Sequence, residues 1–215
     1  MRTTLADRLA ARDRQHFIGR SRDLRFLDSF LVEDPPVNVV LIHGPGGIGK
    51  STLLRELARR AVEHGRSPRL VDARELAPVP GEIEQALEGV DAEPLPLVMF
   101  DTYERMAAAG AYLRQRLLPS LPEQSVVILA GRNPPEPEWF QGGWEQVTIE
   151  HELHPLGAED GRALLRERGV EDRETMEELL DWSGGSPLAL TLGAEAVRAG
   201  GGWNPDRIED RPELV

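Results

Sequence analysis

The chemistry in this chain gathers around one lysine. Lys50 is the only lysine among the 25 Lys+Arg positions, and all the others are arginine. It lies in Gly44-Pro45-Gly46-Gly47-Ile48-Gly49-Lys50-Ser51-Thr52, a complete match to the phosphate-cradling pattern G-x-x-x-x-G-K-[ST]. Glycines at this spacing let successive backbone N–H groups face one concavity, where they can bind phosphate oxygens. A compact ammonium on a flexible stem can curl against β- and γ-phosphates, a task for which a planar guanidinium is less suited. The Ser51 hydroxyl is placed to hold Mg2+. Asp101 closes a second apolar run, Leu97-Val98-Met99-Phe100, where an acid can give the same ion its second protein contact. Arg132 ends a third, Leu129-Ala130-Gly131-Arg132, where a guanidinium could read a γ-phosphate and so tell ATP from ADP. Hydrolysis also needs a group to orient or deprotonate water. Thr102, directly after Asp101, is no acid, so Glu104 is the nearest candidate; its alternative role is that of a first-turn glutamate on a helix dipole. Catalysis by this chain alone is expected to be slow.

The flanks supply the context such a loop needs. Residues 37–43 form a short, β-branched run without helical spacing, as in a strand buried on both faces. Residues 52–62 change to helical periodicity, with Leu53, Leu54, Leu57, Ala58 and Ala61 on one face. The loop thus opens a helix whose N-terminus adds partial positive charge at the phosphates. Further strands are expected at 69–73, 95–101, 125–130 and 144–149, and helices at 21–31, 82–88 and 103–118. Strands alternating with helices imply a parallel sheet covered on both faces. Beyond residue 155 only helices are expected, at 158–168, 173–182 and 187–199. The fold class is therefore α/β: a three-layer P-loop NTPase sheet of roughly five strands followed by a small helical subdomain. The chain divides into a helical lead-in over 1–15, a nucleotide-binding α/β domain over 16–152, a helical subdomain over 153–202, and a polar tail, or the start of a further domain, over 203–215.

Composition removes several classes of function. Without cysteine there are no disulfides, thiolate metal sites or cysteine nucleophiles. The five histidines show no metal-binding pattern; His151 and His154 stand three apart, but in a stretch that reads as strand end and loop. A net charge of -12 opposes unaided binding to nucleic acid or acidic membranes. The N-terminus lacks a signal-peptide core and no run has the length of a membrane span, so a cytoplasmic location is expected.

The order of Phe17-Ile18-Gly19-Arg20, the phosphate loop, the run ending at Asp101, Leu129-Ala130-Gly131-Arg132, Leu153-His154-Pro155-Leu156 and Gly184-Gly185-Ser186-Pro187-Leu188-Ala189-Leu190 resembles the STAND class of signalling NTPases. This AAA-like group includes the nucleotide-binding domains of apoptotic adaptors, plant resistance proteins and large bacterial regulators. The resemblance spans residues 16–199. It implies ATP/ADP and Mg2+ as cofactors, with Ile18, Gly19 and Arg20 bordering the adenine and Pro187 packing on the base. On the residues alone, Pro187 reads only as a helix start. The resemblance also implies a molecular switch: ADP held tightly, exchange for Mg-ATP changing conformation, self-assembly in the ATP state, and effector or sensor domains beyond these residues. Family members often carry a second acid where Thr102 stands, which again points to slow hydrolysis. Two other readings compete with the switch. One is a plain enzyme, an AAA-type ATPase or small-molecule phosphotransferase; the other is a scaffold that no longer binds nucleotide, against which Lys50, Ser51 and Asp101 all stand.

Overall fold

A computed structural model of the chain describes residues 17–201. The lead-in expected over 1–15 and the tail expected over 203–215 lie outside the described residues. The described chain forms two compact units, one of residues 21–46 and 50–153, the other of residues 17–20, 47–49 and 154–201.

The first unit is built on five parallel strands, Val39–His43 (β1), Ser67–Asp72 (β2), Pro96–Asp101 (β3), Val126–Gly131 (β4) and Thr148–Glu152 (β5), in the order β2-β3-β4-β1-β5. The three inner strands are buried along their whole length, which explains sequences that are apolar up to their last residues, His43 in β1 and Asp101 in β3. The edge strands β2 and β5 are only partly buried and more polar. Register fixes the site: His43 pairs with Gly131 and Glu152, and Asp101 with Asp72 and Ala130. The residues after β1, β3 and β4 therefore emerge along one edge of the sheet.

Helices Ser21–Asp28 (α1), Lys50–Glu63 (α2) and Pro80–Ala86 (α3) belong to this unit. Helix α2 buries Leu53, Leu54, Leu57 and Ala61 and packs on β2, β3 and β4. Alternate strand residues Val39, Leu41, Val98, Phe100, Val127 and Leu129 join a separate core with Tyr103, Met106, Leu113 and Trp139. Trp139 is fully buried, so the Pro-rich loop that carries it is anchored inward. At the other end of the strands, buried Arg66 is 3% exposed and donates to the carbonyls of Gln124, Pro96 and Val32. Among the described residues no helix is long and apolar enough to cross a membrane.

Two expected elements differ from those observed. Residues 103–118 form no single helix: 3-10 turns at Tyr103–Arg105 and Ala107–Ala109 lead into a short α-helical turn, Gly110–Tyr112 (α4), and a π-helical segment, Leu113–Leu117. The buried positions give the reason. Tyr103, Met106 and Ala109 recur every third residue, whereas Ala109, Leu113 and Leu117 recur every fourth. Burying both sets requires a tight winding followed by a wide one. The fifth strand is also shifted. Trp144–Gln146 is a 3-10 turn, and β5 takes in the polar residues to Glu152. Strand polarity is tolerated because Glu150 lies 2.7 Å from His43 and His151 is 2.8 Å from Asp23 while stacking on Phe26.

The second unit contains helices Ala158–Glu167 (α5), Arg173–Ser183 (α6) and Pro187–Ala196 (α7), followed by a π-helical turn, Val197–Gly201. Its core joins Leu156, Leu164, Leu165, Met176, Leu179 and Leu190, with Ile18 against it. Asp172 caps α6 through the Thr175 N–H at 2.8 Å, and Ser186 precedes α7 with Pro187 in its first turn.

Candidate phosphate-binding site

In the α/β unit the loop root carries buried Gly44, exposed Pro45 and Gly46, and then Lys50, Ser51 and Thr52 at the start of α2. The Lys50 ammonium donates to the carbonyls of Gly44 at 2.7 Å and Pro45 at 2.9 Å, which folds the side chain back over the loop. Burial pushes its pKa below the ordinary lysine range; Arg132 acts in the same direction, while Glu104 and Asp101 oppose it. Glu104, Arg132 and Asp101 thus each lie within electrostatic reach of the Lys50 ammonium. Asp101 is 7% exposed and accepts the Thr102 N–H at 2.9 Å. Ser51 is half-buried and Thr52 exposed. An aspartate and a hydroxyl suit Mg2+, which takes one or two protein oxygens and completes its shell from phosphates and water.

Thr102 has φ 61 and ψ 42, a left-handed conformation rare for a β-branched residue. This kink sends the next turn back toward the end of β4. Glu104 Oε2 consequently accepts the Arg132 backbone N–H at 3.1 Å, and its Oε1 lies 3.3 Å from Arg132 Nε. The approach passes Gly131, where a Cβ would stand 3.2 Å from Glu104 Oε2. The Arg132 guanidinium also reaches the loop, its Cζ being 3.7 Å from where a Gly46 Cβ would stand. Lys50, Asp101, Glu104 and Arg132 are therefore brought together. The role of Gly131 was not evident from the sequence, because its neighbour Glu104 is distant along the chain.

The loop tip Gly47–Gly49 belongs to the helical unit, with Ile18, Gly19, Arg20 and Pro187. Arg20 is 8% exposed, and its guanidinium donates to the carbonyls of Ile48 at 2.6 Å and His154 at 2.5 Å. Gly19, at φ 75, faces the Asp160 side chain. Pro187 Cγ lies 4.0 Å from the position of a Gly49 Cβ. Leu188 stands in the sequence only as one residue of the Gly184–Leu190 motif, with no role of its own: in the structure its N–H donates to Gly47 O at 3.2 Å, and its side chain fills the space a Gly47 Cβ would need. Its only signal was its place beside Pro187.

A parallel sheet with a lysine-bearing glycine loop after β1, and an acid ending the strand next but one, defines a P-loop nucleotide-binding domain. A family model described as AAA ATPase domain matches residues 16–169, and the chain belongs to that family. Among solved structures, the Thermotoga maritima RuvB Holliday junction branch migration motor is 16% identical, with TM-score 0.58 over 100% of this chain and 72% of that one. A mutant of the same RuvB is 17% identical, with TM-score 0.61 over 93% and 71%. A DNA replication initiation factor is 18% identical, with TM-score 0.61 over 90% and 66%. These likenesses establish a shared fold. No curated protein matches the sequence.

Proposed function

We propose that this AAA ATPase domain is the ADP/ATP-operated switch of a STAND-type signalling NTPase in the cytoplasm, with slow Mg-dependent hydrolysis and nucleotide-controlled conformational change or self-assembly. The observation that carries this reading is the engagement of Glu104 by Arg132, with Thr102 standing where a second acid would follow Asp101. A carboxylate held by a guanidinium and a backbone N–H is a poor base for water. For Glu104 to act, Arg132 must be drawn to a stronger anion, and a γ-phosphate is such a group. ATP and ADP then differ in whether they free Glu104, which gives the differential binding that a switch requires. Lys50 exchanges the Gly44 and Pro45 carbonyls for phosphate oxygens. Ser51 and Asp101 would hold Mg2+, which would supply neutralisation of the phosphate charge. Effector or sensor domains outside these residues would receive the output.

The discriminating experiment measures ATP turnover and the affinities for ADP and ATP in the wild type, Glu104→Gln and Arg132→Ala. Glu104→Gln is expected to abolish the slow turnover and leave ADP affinity unchanged. Arg132→Ala is expected to weaken ATP about tenfold with little effect on ADP, the scale of one charge-assisted contact. Equal weakening of both nucleotides would remove Arg132 as the discriminating group. Fast, steady turnover by the wild type would favour the second reading, a plain AAA-type ATPase, to which the fold shared with a branch migration motor lends support.

A further inference from the structure

The tip of the phosphate loop has two rigid peptides between two loose joints. Gly47 has φ 73 and Gly49 φ 98, conformations that glycine reaches freely, so Gly47 does not by itself fix the plane of the Gly47–Ile48 peptide, nor Gly49 that of the Ile48–Gly49 peptide. That plane is held from outside: Arg20 Nη2 donates to Ile48 O at 2.6 Å. In a trans peptide the C=O and the following N–H point in opposite directions. Gripping the oxygen of Ile48 therefore aims the Gly49 N–H away from Arg20. The preceding peptide is held in the same manner, because Leu188 N–H donates to Gly47 O at 3.2 Å and so orients the Ile48 N–H.

Arg20 is suited to the task by its own constraints. It has φ 62, a left-handed conformation that costs a non-glycine residue free energy, and its side chain is buried. Its other terminal nitrogen is fixed on His154 O at 2.5 Å, so the guanidinium is clamped at both ends of its fork.

From this geometry we infer that Arg20 is a positioning residue for polyphosphate: it sets the direction of the Gly49 N–H through the Ile48 carbonyl and so preorganises the tip of the anion cradle. This differs from the base-bordering role implied by family resemblance. The inference rests on the proposed nucleotide binding at this loop, and its failure can be told apart from failure of that reading.

The test titrates ADP and inorganic tripolyphosphate, which has no base, into the full chain as wild type, Arg20→Met and Arg20→Lys, with thermal melting as a check on folding. A residue that acts through the phosphate cradle weakens both ligands by the same factor. For Arg20→Met that factor is expected to be on the order of tenfold to a hundredfold. Arg20→Lys, which offers a point donor in place of a fork, should restore part of the affinity for both. Loss of ADP binding with tripolyphosphate binding intact would overturn the inference in favour of a base contact, and unchanged binding of both would overturn it outright. If Arg20→Met does not fold, Arg20→Lys decides by the same ratio. A wild type that binds neither ligand would refute the nucleotide reading itself, and this inference with it.

Discussion

Lys50 shows how far single residues could be read. A sole lysine inside a complete phosphate-loop pattern announces its chemistry, and the apolar runs ending at Asp101 and Arg132 announce strand ends. What the sequence could not disclose were the partners: that Glu104 lies on Arg132, that Gly131 leaves space for it, or that Arg20 ends on two carbonyls. Such contacts depend on where distant segments meet, and no spacing rule records them. Gly131→Ala places a Cβ 3.2 Å from Glu104 Oε2 and is expected to loosen the Glu104–Arg132 pair, raising turnover more than it changes ADP affinity. A steady-state assay beside an ADP titration checks it. The two tyrosines offer a pH test. Burial, then the Glu136 carboxylate, pushes Tyr103 up to about 12, and a hydrogen bond to Glu84 does the same for Tyr112. Because the folded pKa of Tyr103 exceeds its unfolded value near 10, its contribution to stability is complete below that pH and is lost as pH rises through 12. Phenolate absorbance at 295 nm should accordingly appear near pH 12, and substantial ionisation at pH 10 would contradict this environment.

Among elements, the inner strands and the loop helix were legible because burial on both faces and helical amphipathicity leave plain patterns. Residues 103–118 misled because apolar spacings of three and then four average to the period of an α-helix. β5 misled because its polar residues are paired through side chains, which hydrophobic patterning does not register. The kink at Thr102 was invisible, since a threonine carries no signal for a left-handed conformation. Thr102→Gly removes the steric cost of that conformation and is expected to stabilise the fold by about 1 kcal/mol, offset in part by glycine's greater freedom when unfolded. Urea unfolding measures this, and a marked loss of stability would show that the threonine side chain contributes contacts beyond its backbone. The same variant should hydrolyse ATP differently from wild type, because the turn that delivers Glu104 is no longer fixed.

At the scale of the molecule, the α/β class and the succeeding helices followed from the alternation of patterns, whereas the membership of Gly47–Gly49 in the helical unit did not. Arg66 shows another non-local device: a buried guanidinium that binds carbonyls from three separate segments. Burial holds its pKa below the usual arginine value, and the three carbonyls offset part of the cost of desolvating the guanidinium. Arg66→Met leaves those carbonyls without a donor and is expected to destabilise the α/β unit by about 2–4 kcal/mol in denaturant unfolding, with ADP binding retained by the folded fraction. The central claim is that Lys50 and its neighbours hold a nucleotide tightly and turn it over slowly. The most direct measurement denatures the purified protein, identifies any released nucleotide by chromatography, and follows ATP turnover by nucleotide-free wild type and Lys50→Ala. Stoichiometric ADP from the wild type, very slow turnover, and loss of binding in Lys50→Ala are the expected results; a wild type that binds no nucleotide, or a Lys50→Ala variant that binds as the wild type does, would contradict the account.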